Sequence, residues 1–162
     1  MNALILYRSY YGNTKRVADA IGDRLKEMGH EAVIQDVRQR LPDLAGIDLV
    51  FNGAPTRMKR ANVRSRRVAR KLKARGFGDR LFVVFDTCAI VPTDPQKLEE
   101  AKPWIIPGAA GMMQQAAKDA GLNVYGDTLR CEVNGMKGPL VDNALQKAIA
   151  FTDAVVSAAG PK

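Results

Sequence analysis

Apolar positions along this chain switch between two periods. Residues 3–8 (ALILYR) form a short apolar run of strand formers, closed by the polar stretch SYYGN. A run of that length without alternation predicts a strand covered on both faces. Val17, Ile21, Leu25 and Met28 then recur at helical spacing with charges between them, and Gly29 ends the pattern. Residues 31–37 (EAVIQDV) alternate and predict a second strand, while 47–53 (IDLVFNG) and 80–86 (RLFVVFD) are two further buried runs. Between those two, Ala61, Ser65, Val68, Ala69 and Leu72 mark one stripe of a helix whose other faces are basic. A long irregular stretch follows with Pro92, Pro95, Pro103 and Pro107, and a short helical piece is predicted over 96–102. Residues 108–120 predict a helix that stops near Gly121, and 122–133 (LNVYGDTLRCEV) a broken strand. Pro139 suits the first turn of a last helix with Val141, Leu145, Ala148, Thr152 and Val155 on its inner stripe. The tail GPK reads as a frayed end.

The order is βαβ, then β, α, β, α, β, α, with a weak link between the second and third strands. Buried strands alternating with helices imply an α/β protein with a parallel sheet covered on both faces. Right-handed crossovers then make it a doubly wound three-layer sandwich, and five strands favour the order 2-1-3-4-5. In that order a ligand sits at the carboxyl ends of strands one and three, where the winding reverses. With no internal repeat and no low-complexity segment, one domain over residues 1–162 is expected.

Composition narrows the classes. The hydrophobic and charged fractions, 46% and 26%, are those of a soluble globular protein. No segment approaches the roughly 20 apolar residues that span a bilayer. The opening MNALILYRSYYG lacks a basic region ahead of its short apolar run, so a cytoplasmic protein is expected. Cys88 and Cys131 lie far apart without a CxxC partner and read as reduced thiols, Cys131 in the core. A single histidine, His30, argues against a histidine-dependent triad or a His-rich metal site and sits at a turn as a bystander. Carboxylates such as Asp19, Asp36 and Asp142 show no pairing suited to acid–base catalysis, and nothing demands a metal. The net charge of +8 is local: residues 57–75 (RMKRANVRSRRVARKLKAR) hold ten Lys/Arg and no acid, and subtracting those ten leaves −2. A local basic surface points to an anionic partner. Nucleic acid is disfavoured, because no aromatic residue is interleaved with these charges. A solvated face that keeps the protein soluble is the simpler alternative.

Three loops should leave the sheet at its carboxyl edge. Residues 9–14 (SYYGNT) join the first strand to the first helix, where orphan N–H groups and the helix dipole favour an anion. Ser9, Asn13 and Thr14 can each donate a hydrogen bond, and Gly12 permits a backbone conformation and a close approach that other residues resist. That chemistry suits a phosphate monoester, although an ordinary capped turn needs many of the same residues. Residues 53–58 (GAPTRM) and 86–91 (DTCAIV) follow the third and fourth strands and can offer backbone groups to a flat heterocycle, or serve as plain connectors.

On these residues the chain resembles the flavodoxins. LILYRSYYGNTKRVADAI is similar to the family's opening strand, its [ST]-x-x-G-N-T phosphate loop and its first helix, and DLVFNGAPT to the strand that runs into its G-x-P-T loop. KGPLVDNAL, near the last helix, resembles a feature of archaeal and bacterial flavodoxin-like proteins. The resemblance implies a flavodoxin-like fold, non-covalent FMN and electron transfer between redox partners. It implies that Ser9, Tyr10, Tyr11, Gly12, Asn13 and Thr14 cradle the FMN phosphate. It implies that Ala54, Pro55, Thr56, Arg57 and Met58 line one side of the isoalloxazine, and Asp86, Thr87 and Cys88 the other. The insertion that splits the fifth strand of long-chain flavodoxins is absent. Flavodoxins usually sandwich the flavin between a Trp in the second loop and a Tyr in the third; here those places offer Arg57 or Met58, and Cys88 or Ala89. Trp104, the only Trp, could fold over the site from the long loop or plug the gap beneath it. Flavodoxins are also typically acidic around the flavin, whereas this chain sets a basic helix beside it.

Three functions are compatible with these features. An FMN-binding electron carrier, monomeric or weakly dimeric, would dock a redox partner that is acidic at its docking face. An FMN-dependent reductase of a quinone or another small acceptor would need a pocket beside the flavin, under residues 92–107. A flavin-free binding protein would use only the basic helix.

Overall fold

The computed structural model describes residues 1–160. The apolar run at the start becomes β1 (Asn2–Tyr7), in which Leu4, Ile5 and Leu6 have no exposed surface. It pairs in parallel with β2 (Glu31–Asp36) on one side and β3 (Leu49–Pro55) on the other. β4 (Leu81–Ala89) extends the sheet beyond β3. The broken strand is two segments, β5 (Asn123–Val124) and β6 (Leu129–Val133), both parallel to β4 at successive stretches of its edge. The sheet therefore has the expected order 2-1-3-4-5, with both segments in fifth place.

Strand periodicity divides the core into two layers. Leu4, Leu6, Val50, Phe82 and Val84 face α2 (Val63–Ala74) and α4 (Gly108–Asp119). Ala3, Ile5, Leu49, Phe51, Val83 and Phe85 face α1 (Asn13–Glu27) and α5 (Ala144–Ala159). α2 keeps Ser65, Val68, Ala69 and Leu72 inside, as its stripe predicts, and Asn62 caps it by accepting the Ser65 N–H at 2.9 Å. No helix among the described residues is long and apolar enough to cross a membrane.

Several expectations are corrected. The last helix begins at Ala144, so Pro139 lies five residues ahead of its first turn. Pro139 instead belongs to a return loop: its carbonyl accepts the Asn134 N–H, and Leu140 forms an antiparallel bridge with Val133. Val141 is bonded to the Glu132 carbonyl rather than placed on a helical stripe. The short piece at 96–102 is a full helix, α3 (Pro95–Ile105), capped by Asp94 with Pro95 in its first turn. Trp104 neither covers a site nor plugs a gap; it is 60% exposed at the end of α3. In the predicted frayed tail, Gly160 closes α5, and residues 161–162 lie outside the described residues.

Gly53 shows how tightly the sheet is covered at the site's edge. A Cβ there would lie 2.0 Å from Phe85 Cζ, on a fully buried ring of the neighbouring strand. We expect Gly53→Ala to cost roughly 1–3 kcal/mol by overpacking. Gly22→Ala should cost much less, because its Cβ comes too close only to the flexible Ile34 side chain, nearest at 2.6 Å to its free end, and meets Ile5 Cδ1 at an ordinary 3.9 Å. Urea unfolding of both variants checks this; equal midpoints would contradict it.

Candidate functional site

The loop after β1 is built to leave a helix end open. Gly12 has φ +91°, in the left-handed region where a side chain is strained, and its N–H donates to Ser9 Oγ at 3.0 Å. No side chain caps α1, and the first helical bond runs from the Arg16 N–H to the Gly12 carbonyl. The amides of Asn13, Thr14 and Lys15 are thus left for an anion, with the helix dipole behind them. Asn13 and Thr14 both line a cleft of about 360 Å³ at the carboxyl ends of the strands. That volume falls within the range of small-ligand sites, about 300–1,000 Å³. Thr14 and Thr87 share a buried hydroxyl contact of 2.8 Å, which ties the start of α1 to β4 beneath the cleft.

One rim carries an unusual stack. The Tyr10 ring lies against the guanidinium of Arg8, 4.4 Å from its centroid, and that of Arg57, 4.6 Å away. Arg57 opens a two-residue turn in which Arg57 and Arg60 exchange backbone hydrogen bonds of 3.0 Å each. Met58 and Lys59 hold φ of 46° and 59°, a left-handed pair that normally selects Asn-Gly. The Lys59 N–H is anchored on the Trp104 carbonyl at 2.8 Å, so α3 braces the turn. Met58 lines the cleft and is largely exposed.

Below this wall is a buried carboxylate. Asp86 has no exposed surface. Its Oδ2 accepts the Thr56 hydroxyl at 2.7 Å and the Ala110 N–H at 3.1 Å, and its Oδ1 accepts Arg130 Nε at 3.0 Å. Thr56 Oγ1 in turn accepts the Ala109 N–H at 2.7 Å. The carboxylate therefore sits at the N-terminus of α4, on its dipole. Burial works against the Arg130 charge, but the attraction of Asp86 outweighs it and raises the Arg130 pKa. Gly108 leaves room for this cluster, since a Cβ there would lie 2.4 Å from Arg130 Nη2.

The cleft gathers Ser9, Tyr10, Tyr11, Asn13, Thr14, Pro55, Thr56, Arg57, Met58, Thr87 and Cys88. Gly12 shapes the loop without lining it. Ala54 and Asp86 do not line the cleft: Ala54 belongs to the core on the α2 and α4 side, and Asp86 has the strand parity of Phe82 and Val84, which face that layer. The expected loop at 86–91 is strand as far as Ala89, held by pairing with β6. Cys88 is buried, and burial pushes its thiol up to about 12, so it stands at the cleft as a neutral group rather than a nucleophile. Val133, Gly135 and Met136 also line the cleft and were not foreseen. Asn134-Gly135 is a turn signal after a strand, but its placement depends on Asn13, whose Nδ2 donates to the Lys137 carbonyl at 3.0 Å, 124 residues away. None of residues 92–106 lines the cleft. A larger groove of about 860 Å³ lies elsewhere, between α2 and α4. Among the described residues no group of three or more His, Cys, Asp or Glu could hold a metal.

The chain is a doubly wound α/β sandwich whose cleft lies at the winding reversal, the place where open α/β sheets take ligands, beside an uncapped helix N-terminus. The sequence profile of the flavodoxin domain matches residues 4–101, and the chain belongs to the flavodoxin family. Among solved structures it is similar to a flavodoxin from the domain Archaea, with a TM-score of 0.75, 17% identity, and coverage of 98% of this chain and 99% of that one. Flavodoxin 2 from Bacillus cereus gives 0.68, 20%, 98% and 99% respectively. Rubredoxin oxygen:oxidoreductase from Desulfovibrio gigas gives 0.73 and 10%, and 98% of this chain covers only 36% of that one. At these identities the likeness shows the fold. No match was found among curated proteins.

The Asp86 cluster should govern stability. Asp86→Ala leaves the Arg130 charge, the Thr56 hydroxyl and the Ala110 N–H without their acceptor, and is expected to cost about 3–5 kcal/mol. Asp86→Asn keeps the shape and should cost less. Denaturant unfolding measures both; a loss below about 1 kcal/mol for the alanine variant would contradict a structural role for the cluster.

Proposed function

We propose that this protein binds FMN in the cleft and transfers electrons between redox partners. The observation that carries this reading is the open N-terminus of α1, whose Asn13 and Thr14 line the same cleft as Met58 and Met136. The donor set fits the group at both ends. Free amides, the Ser9 and Thr14 hydroxyls and the conformation of Gly12 suit a phosphate monoester. Met58 and Met136 offer polarizable sulfur and methylenes to a ring face, in place of the family's usual aromatics. FMN, when bound, supplies the redox chemistry. The chain's own residues would hold the phosphate, shield the ring and set the local charge.

That charge is positive. Among the described residues no carboxylate lines the cleft; Arg57 stands at its rim on Tyr10, and Arg8, on the same ring, is paired with Asp36 at 3.8 Å, so Arg57 carries the uncompensated charge. Cations beside the ring favour the more negative, reduced form, which raises the reduction potential. The same charge suits a redox partner that is acidic at its docking face and whose approach it steers.

Fluorescence titration with FMN and with riboflavin tests the phosphate end. FMN should bind at least about a hundredfold more tightly, because a helix terminus and several donors are lost together with the phosphate. Equal affinities, or no uptake of either flavin, would overturn the reading. A redox titration of FMN-loaded protein tests the charge. Arg57→Gln should lower the midpoint and Arg57→Glu should lower it further, by several tens of mV, about 59 mV being a tenfold change in a one-electron equilibrium. An unchanged or raised midpoint would contradict the electrostatic account.

A further inference from the structure

The groove between α2 and α4 has a chemistry of its own. Arg66, Arg67 and Arg70 of α2 line one side, and Val63, Met112 and Ala116 supply apolar surface. Among the described residues, none of Arg64, Arg66, Arg67, Arg70 and Lys71 is in an ion pair; the pairs that form lie on other elements. The single carboxylate in the groove, Asp119, is engaged by Gln115 at 2.8 Å. Arg66 keeps its Nε shielded from solvent without an acceptor, a donor that an incoming carboxylate would satisfy. Elsewhere along the same basic stretch cations are used internally: Lys73 donates to the Gly121 carbonyl and Arg75 to those of Leu41 and Pro42. Those bonds hold the Lys73 and Arg75 side chains against the backbone, whereas Arg66, Arg67 and Arg70 stand together where the surface is concave.

We propose that this groove docks an acidic amphipathic helix of a partner protein, with its apolar stripe on Met112 and Ala116 and its carboxylates on Arg66, Arg67 and Arg70. α4 has 12 residues, so the groove runs about 18 Å and accommodates roughly three helical turns. Charge complementarity selects an acidic occupant. The apolar surface selects an amphipathic one over a nucleic acid, for which the groove lacks any aromatic stacking platform. Its concavity disfavours a bilayer surface, which takes a convex apolar face. The groove reaches Pro107, one residue before α4, and the amide of Ala109 is bonded to Thr56 of the cleft wall. A helix seated there lies beside the cleft. The proposal stands without flavin, because none of its residues lines the cleft.

The test uses the full chain and a labelled synthetic helix with Leu on one stripe and Glu on both flanks, read by fluorescence anisotropy. A scrambled peptide of the same composition controls for charge alone. The triple change Arg66→Glu, Arg67→Glu and Arg70→Glu should weaken binding by at least about tenfold. The triple change Lys26→Glu, Lys97→Glu and Lys147→Glu alters the net charge equally, at exposed positions outside the groove, and should weaken it by less than about threefold. Ala116→Trp fills the groove without altering charge and should also weaken binding, with circular dichroism and flavin uptake unchanged. The proposal is overturned if both triple variants lose affinity equally, if the scrambled peptide binds as well as the helix, or if Ala116→Trp binds normally. It is also overturned if duplex DNA or phosphatidylserine vesicles displace the peptide and lose affinity to the same groove variant.

Discussion

The carboxylate of Asp86 holds three elements in one place. Thr56 reaches it from the end of β3, Arg130 from β6, and the Ala110 amide from the start of α4. Charged hydrogen bonds inside a protein are strong when fully satisfied and costly when one partner is missing. The cluster thereby fixes where β3 ends and how Pro55 and Thr56 enter the cleft. It also sets the start of α4, and with it the spacing of α4 from α2. The cleft and the basic groove share this foundation, although they have no lining residue in common.

The two surfaces divide the molecule's chemistry. The cleft gathers hydroxyls, open amides and methionines, with cations held at its rim by stacking on Tyr10. The groove gathers guanidinium groups and apolar side chains. Ion pairs hold charge on the α1 and α5 side, where Arg24 bridges to Asp153 at 2.7 Å, whereas among the described residues α2 forms none. An uneven distribution of this kind steers encounter toward one face.

Much of this arrangement was legible in the sequence where the signal is local. β1, β3 and β4 are apolar runs whose burial on both faces follows from their composition. The junction SYYGNT marked a tight turn through Gly12, which the structure holds in the left-handed region ahead of an uncapped helix. What escaped was set by distant contacts. Pro139 satisfies the chemistry of a first helical turn, yet the pairing of Leu140 with Val133 takes it into a return loop. Asp86 follows a strand and reads as a ligand contact, but its partner Arg130 lies 44 residues on, and strand parity turns the carboxylate into the core. Met136 gave no signal as a cleft residue, because its loop is placed by Asn13. The lone Trp104 suggests a cover, but the contribution of α3 to the site is its backbone carbonyl, which no side-chain pattern reveals.

The central claim is that the open end of α1 receives the phosphate of FMN. Amide chemical shifts of the nitrogen-15-labelled protein, followed through a titration with FMN, test it most directly. The account predicts the largest changes at Gly12, Asn13, Thr14 and Lys15, with smaller ones at Thr56, Ala89 and Gly135, and little change along α2. Unmoved amides at residues 12–15, or shifts confined to the arginines of α2, would contradict it.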